Sequence, residues 1–273
     1  MPELPEVETT RRGIEPHAAG RAIREVIVRR HDLRQPVTPG LDDIAGRRIT
    51  GVRRRSKYLL IDIDDGRVLL VHLGMSGSLR VTDAAAAWRK HDHVALTLDS
   101  GAQLRYHDPR RFGLVLLLPH GAETNHPLLA RLGPEPLGDG FSAATLAAAC
   151  RNRSATIKQV IMDGGVVVGV GNIYASEALF RAGIRPRTRA SRVGPRRLAR
   201  LAEAIRAVLG EAIGQGGTTL RDFVNSDGNP GYFRQRLFVY DRGGEPCRVC
   251  ATPVRRAVVG QRSTFWCPAC QKP

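Results

Sequence analysis

Arg48-Ile-Thr-Gly-Val-Arg-Arg-Arg-Ser-Lys-Tyr-Leu-Leu-Ile-Asp-Ile-Asp-Asp-Gly-Arg-Val-Leu-Leu-Val-His-Leu73 is the stretch that decides the architecture of the N-terminal half. It holds three short apolar segments, Arg48–Arg54, Tyr58–Asp64 and Arg67–Leu73, the last two separated by Asp65-Gly66. An Asp-Gly pair supports a tight hairpin turn, and runs this short and rich in Val, Ile and Leu read as strands. Outward from it the pattern repeats in Ile23–Arg30, Val94–Asp99, Gln103–Tyr106 and Leu114–Leu118, with Ser100-Gly101 as another turn pair. Many short strands with turn punctuation predict a sandwich or barrel. Ahead of them, Pro2 to about Ile14 is helical in pattern: Pro suits a first turn, and Val7, Thr10, Arg11 and Ile14 share one stripe.

Beyond Leu118 the character changes. Pro119 to Phe141 is rich in Pro, Gly and His and reads as a linker. Ser142–Arg151, Ala155–Asp163, Ile173–Gly183 and Pro195–Gln215 have helical periodicity, and the Gly-rich V-V-V-G-V-G-N lies between the second and third. The predicted division is 1–118, 119–141 as linker, 142–239 and 240–273. A length of 273 residues suggests two domains at roughly 150 residues each, with the last segment a small appended unit.

That last segment contains Cys247-x-x-Cys250 and Cys267-x-x-Cys270, separated by 16 residues. Each pair can form a knuckle, and together they place four thiolates around one ion, so one structural Zn2+ is expected. Val254–Val259 and Ser263–Trp266 read as the two strands of a zinc ribbon hairpin joined by Gly260-Gln261-Arg262, with Arg262 at the tip. The fifth cysteine, Cys150, stands alone on an Ala-rich helix and reads as a small buried hydrophobe.

Composition narrows the partner. Lys and Arg total 42 against 26 Asp and Glu, a net charge of +16. Only Lys57, Lys90, Lys158 and Lys272 are lysines; the rest are Arg, whose planar fork matches phosphate oxygens. From Arg181 to Arg206 there are nine Arg and one Glu. This balance points to nucleic acid. The first 30 residues carry Glu3, Glu6 and Glu8 and lack the apolar run of a secretory signal, so a cytoplasmic location is expected. The longest apolar stretch, Leu114–Leu118, is far short of the roughly 20 residues of a spanning helix, so no membrane partner is expected.

The start, Met1-Pro2-Glu3-Leu4-Pro5-Glu6, offers a nucleophile. Removal of Met1 leaves Pro2 with a secondary amine that can attack an electrophilic carbon to form an iminium. An α-amino group titrates at about pH 8, so a useful neutral fraction exists near neutrality. Glu3 beside it is a candidate general acid. Taken alone, these residues read as a helix-starting proline with acids at the positive helix end.

Their company changes that reading. P-E-L-P-E-V-E at 2–8, R-S-K-Y-L-L at 55–60, H-L-G-M-S-G at 72–77, K-H-D-H-V at 90–94, D-P-R-R-F-G at 108–113, V-G-V-G-N-I-Y-A-S-E at 168–177 and G-Q-R-S-T-F at 260–265 form an ordered series. Together with the cysteines, this series resembles the formamidopyrimidine-DNA glycosylase family, base-excision enzymes for oxidised purines, from Pro2 to Cys270. The resemblance implies an α+β multidomain fold: an N-terminal β-sandwich with flanking helices, a helix–two-turns–helix domain and a zinc ribbon hairpin. It implies a monomer acting on double-stranded DNA that contains an oxidised base, associated with the nucleoid through that DNA. Pro2 would attack the sugar C1′ and Glu3 would protonate the sugar. Lys57 would serve β-elimination and Arg262 δ-elimination. His91, Arg110 and Arg153 would contact DNA, and His72, Lys158 and Asn172 would grip phosphates around the extruded nucleotide. Met75, Arg110 and Phe112 would fill the stack, since base extrusion leaves a hole that something must occupy. Thr218–Tyr232 resembles a loop that closes over 8-oxoguanine, with the base contact near Thr218.

Without the resemblance, His72 and His91 read as structural histidines, Met75 and Phe112 as core, and Arg53, Arg54 and Arg55 as phosphate-facing or solvated charges. Trp266, where Tyr or Phe is usual, and Gln159, where Pro is common, depart from the family pattern. Two rival functions remain at this point. One is an endonuclease VIII-like glycosylase for oxidised pyrimidines; the other is a non-catalytic zinc-ribbon DNA-binding protein.

Overall fold

The computed structural model describes residues 2–217 and 237–273. The described residues divide into two compact units, 2–130 with 215–217, and 131–214 with 237–273.

The first unit opens with helix α1 (Leu4–Ala18), followed by β1 (Ile23–Val28), β2 (Ile49–Arg55), β3 (Tyr58–Ile63), β4 (Val68–His72), β5 (Ser78–Asp83), β6 (Asp92–Leu98), β7 (Ala102–His107) and β8 (Leu114–Leu118). Two four-stranded sheets result, ordered β1-β6-β7-β5 and β2-β3-β4-β8, with every pairing antiparallel. Their inner faces share one core: Leu59, Ile61, Ile63, Leu69 and Val71 from one sheet meet Leu79, Leu96, Leu98 and Leu104 from the other. The sandwich expectation therefore holds. Alternate residues Leu60 and Leu70 are fully buried on the opposite face, which is why β3 and β4 read as continuous apolar runs rather than alternating ones. Helix α1 lies against β2 and β5, the edge strands of the two sheets, and feeds Val7, Ile14 and Ala18 into the same core. It runs beyond the predicted end at Ile14: Pro16 in the last turn loses a backbone donor, and burial of Ala18 offsets that loss.

Strand β5 was not expected from the sequence. Its Arg80 is buried and pairs with the buried Asp92 at 2.9 Å, so a charge sits where the pattern called for an apolar residue.

The second unit contains α2 (Ala143–Cys150), α3 (Ile157–Ile161), α4 (Asn172–Arg181), α5 (Pro195–Gly214) and the hairpin β9 (Arg255–Val259) and β10 (Arg262–Trp266). Ser142 caps α2, and Thr156 with Gln159 forms a capping box on α3. Helix α5 buries Leu198, Leu201, Ile205, Val208 and Leu209 on one stripe. Between Leu118 and Ala143 there is neither helix nor strand. Among the described residues no helix is long and apolar enough to cross a membrane.

Candidate functional site

The candidate residues fall into two groups, one in each unit. In the first, Pro2 and Glu3 are buried at the N-terminal end of α1. Glu3 is the N-cap, and its N–H donates to the Glu6 carboxylate at 2.8 Å, closing a capping box that fixes the chain start on the helix. The Glu6 side chain also lies against Gly217, where an added Cβ would come within 3.1 Å of Oε1.

Lys57 occupies the two-residue turn between β2 and β3, whose last paired positions are Arg55 and Tyr58. Its partner in that turn, Ser56, adopts φ +56°, a left-handed conformation unusual for a side-chain-bearing residue. His72 ends β4, with its ring centroid 5.0 Å from that of Tyr58. Burial, with the charges of Lys57 and Arg34 adding to it, pushes the His72 imidazole down to about 4, so it is neutral near pH 7. The Gly74 N–H donates to Nδ1 at 3.1 Å, so the neutral ring carries its proton on Nε2.

Met75 lies on the β4–β5 loop, and Arg110 and Phe112 lie on the β7–β8 loop. Phe112 is 45% exposed, and the Arg110 guanidinium sits 4.9 Å from its ring centroid. A large exposed aromatic under a cation is a poor core residue and a good wedge, so the assignment of Phe112 to core is corrected. His91 precedes β6 and helps line a cavity of about 370 Å³ together with Arg29, Arg30, Lys90 and Arg111. The reading of Arg54 as phosphate-facing or solvated is also corrected, whereas Arg53 is exposed and ion-paired. Arg53 pairs with Asp62 at 2.6 Å and Glu123 at 2.8 Å, and Arg54 reaches the buried Glu8 at 3.1 Å.

In the second unit, Lys158 and Asn172 converge on the hairpin. Lys158 is 1% exposed, and its Nζ donates to Thr264 Oγ1 at 2.7 Å and to the Ser263 carbonyl at 3.2 Å. Asn172 Nδ2 donates to the same carbonyl at 2.9 Å. Both therefore brace the strand that begins with Arg262. Arg153 is exposed and pairs with Asp163 at 3.0 Å. Arg262 is exposed, but it is the first residue of β10 and pairs with Val259; the turn itself is Gly260-Gln261, with φ of +55° and +61°. The departure at Gln159 matters locally, because its side chain lies against Gly260, 3.0 Å from where a Cβ would stand.

Cys247, Cys250, Cys267 and Cys270 place their sulfurs within 4.8 Å of one another. Cys250 and Cys267 are 3.4 Å apart and Cys247 and Cys270 3.9 Å, too far for a disulfide. A tetrahedral ion with bonds of about 2.3 Å holds its sulfurs about 3.8 Å apart, so this donor set fits zinc. Backbone N–H groups of Val249 and Cys270 approach Cys247 and Cys267 Sγ at 3.5 and 3.4 Å, as in a knuckle. Buried Gln271 ties the site to the helices: it accepts from the Cys267 N–H at 2.9 Å and donates to the Ile184 carbonyl at 2.8 Å.

Residues 1–115 match the family model for the formamidopyrimidine-DNA glycosylase N-terminal domain, 132–224 the model for the formamidopyrimidine-DNA glycosylase H2TH domain, and 244–273 the zinc finger found in FPG and IleRS. The formamidopyrimidine-DNA glycosylase of Thioalkalivibrio sulfidiphilus is 60% identical over 273 residues, covering 100% of both chains. The chain belongs to the formamidopyrimidine-DNA glycosylase family.

Solved structures of formamidopyrimidine-DNA glycosylases share its fold. The crystal structure of the MutM (FPG) protein from Thermus thermophilus is 40% identical with a TM-score of 0.89, covering 100% of both chains. A Lactococcus lactis FPG mutant in complex with Fapy-dG containing DNA is 31% identical with a TM-score of 0.93, again over 100% of both. The zinc-finger domain of the formamidopyrimidine-DNA glycosylases is present, and its four clustered cysteines are consistent with one structural zinc. The lesion-loop reading of Thr218–Tyr232 lies outside the described residues. Buried carboxylates inside the quoted motifs escaped the sequence reading, among them Asp108 and Glu177. Asp108 gathers the β7–β8 loop, and Glu177 accepts the backbone N–H groups of Phe238, Val239 and Tyr240 at 2.8 to 3.0 Å. Burial raises the Glu177 carboxyl, partly opposed by those three donors.

Proposed function

We propose that the protein is a bifunctional DNA glycosylase and abasic-site lyase of base excision repair, acting on oxidised purines such as 8-oxoguanine and formamidopyrimidines in double-stranded DNA. The observation that carries this is the whole-chain identity to a formamidopyrimidine-DNA glycosylase, 60% over 273 residues. The structural relatives in complex with lesion DNA support the partner.

In this reading the Pro2 nitrogen, freed by loss of Met1, attacks C1′ of the damaged nucleotide and the base departs with the glycosidic electron pair. Glu3 supplies a proton to the sugar as its ring opens to the Schiff base. Loss of a sugar proton then expels the 3′ phosphate, with Lys57 serving that β-elimination. A second elimination expels the 5′ phosphate, with Arg262 holding the leaving group, and a single-nucleotide gap remains. A covalent amine intermediate divides one hard step into easier ones. Burial of Pro2 and the Glu3–Glu6 capping box support this reading, since a nucleophile must be held in place.

His91, Arg110 and Arg153 are the proposed DNA contacts. His72, Lys158 and Asn172 grip phosphates around the extruded nucleotide, His72 through a neutral N–H donor, with Lys158 and Asn172 seated beside the hairpin strand that begins with Arg262. Met75, Arg110 and Phe112 fill the vacated stack, with Arg110 able to meet the orphaned cytosine edge. The zinc, bound by Cys247, Cys250, Cys267 and Cys270, holds the hairpin that presents Arg262. We keep the four-part division at residues 118, 141 and 239, a monomeric state, and a cytoplasmic location with nucleoid association through DNA.

Single-turnover cleavage of a duplex with one 8-oxoguanine opposite cytosine tests the proposal. The wild-type protein releases the base and leaves phosphate on both strand ends. Pro2→Gly abolishes base release while duplex binding persists. Equal activity in Pro2→Gly would overturn the mechanism.

A further inference from the structure

The two loops that carry Met75, Arg110 and Phe112 lie far apart in sequence, yet they meet at one buried side chain. Asp108 is 0% exposed. Its Oδ1 accepts from Ser76 Oγ at 3.1 Å, on the β4–β5 loop, and from the Arg110 N–H at 3.3 Å. Its Oδ2 accepts from the Tyr106 hydroxyl at 3.1 Å and from the Gly113 N–H at 2.9 Å. All four neighbours are donors, so the arrangement requires an acceptor-only group with two oxygens. The Asp108 backbone joins in: its N–H donates to the His91 carbonyl at 3.0 Å, and its own carbonyl lies 2.8 Å from His93 Nε2.

The loops also touch through backbone. Gly74, at φ +66°, lies so close to the other loop that a Cβ there would stand 2.5 Å from the Gly113 nitrogen and from the Phe112 carbonyl carbon. A Cβ on Gly113 would stand 2.3 Å from the His72 carbonyl oxygen. Met75 follows Gly74 and precedes Ser76, and Phe112 precedes Gly113. Met75 and Phe112 are thus each flanked by a position pinned to the opposite loop, and Arg110 is tied through its own N–H to Asp108.

We infer that Asp108 is a positioning residue that locks the Met75 loop to the Arg110–Phe112 loop, so that the three side chains enter the DNA stack as one rigid wedge. This rests on the proposed reading of Met75, Arg110 and Phe112 as the stack-filling residues. Asp108 touches no reacting atom in that scheme. It acts by keeping the wedge assembled before the DNA arrives, so that the cost of ordering two loops is not charged against base extrusion. Asn at 108 keeps the shape but replaces one acceptor oxygen with a donor NH2, which meets the backbone N–H of either Arg110 or Gly113 donor against donor.

The test is the single-turnover excision rate of Asp108→Asn and Ser76→Ala on two substrates. One carries 8-oxoguanine in a fully paired duplex. The other carries it between mismatches, where the stack is already loosened. On the paired duplex Asp108→Asn is expected to lose at least about tenfold and Ser76→Ala about threefold, while on the mismatched duplex both stay within about twofold of wild type. Ser76→Ala removes a single donor, so it reports even if Asp108→Asn folds poorly. An equal loss on both substrates would mean a merely structural role and overturns the inference, as would no loss on either. Phe112→Ala separates the two levels. If it leaves the paired-to-mismatched ratio at the wild-type value, the wedge reading fails and takes the inference with it. If it shifts the ratio and Asp108→Asn does not, only the role of Asp108 fails.

Discussion

The sandwich and the zinc hairpin each present a candidate catalytic group on a β-turn or strand end, yet they are held by different forces. Lys57 sits on a turn between β2 and β3, whose apolar side chains enter a core shared by two sheets and α1. Arg262 sits on a two-stranded hairpin with Val258 73% exposed, and the apolar cluster it joins is completed by Phe180 of α4 and Val239. A two-stranded hairpin is marginal by itself in water. Four thiolates, the Lys158 ammonium, Asn172 and Gln271 supply what the core does not. The difference teaches that two candidate catalytic groups of one chain can fail in two ways, one apolar and one ionic.

The sharpest break in that comparison is metal loss. Cys267→Ser, or chelation, is expected to cut lesion cleavage by about a thousandfold or more, because structural zinc contributes of order 10 kcal/mol to such units. Metal analysis and activity check it, and hydrogen exchange should show the sandwich amides unchanged. The converse change is Leu60→Ala, which empties a fully buried site in β3. It should destabilise the sandwich by about 2–5 kcal/mol in denaturant unfolding while zinc content stays at one per chain.

A smaller effect sharpens the ionic side. Thr264→Val removes an acceptor that lies 2.7 Å from Lys158 Nζ and leaves a buried ammonium with fewer partners. A loss of about 1–3 kcal/mol in local stability is expected, read as faster hydrogen exchange in β9 and β10 with no change in β3 or β4.

The smallest effect belongs to the sandwich and to pH. The folded-state pKa of His72 is depressed to about 4, below the ordinary value of 6.5. Between these values the unfolded chain binds the proton that the folded one refuses, so this stability is present above pH 6.5 and is lost as pH falls toward 4. His72→Gln should flatten that part of the unfolding profile; an unchanged slope would mean that burial does not hold the imidazole neutral.

What was legible in the sequence follows the same divide. The strands of the sandwich announce themselves through apolar runs and Asp-Gly or Ser-Gly turns, because their stabiliser is written in the residues themselves. The cysteine quartet was legible because metal geometry imposes a spacing. Strand β5 was not, since Arg80 is buried only by virtue of Asp92 on another strand. Asp108 sits inside a recognised motif, but its role depends on donors from two loops and has no local signature. For Lys158 the sequence offers a cation and no hint of its neighbours Ser263 and Thr264, which lie more than a hundred residues away along the chain. A side chain's type is read directly, whereas its target is a property of the fold.

The central claim is that a secondary amine at the chain start forms a covalent bond to damaged DNA. Borohydride trapping tests it most directly. Zinc-loaded protein lacking Met1, confirmed by mass spectrometry, is mixed with a duplex bearing 8-oxoguanine opposite cytosine and reduced. The account predicts a protein–DNA adduct that maps to Pro2 and disappears in Pro2→Gly. An adduct that maps to Lys57 or persists in Pro2→Gly, or no adduct from active protein, would contradict it.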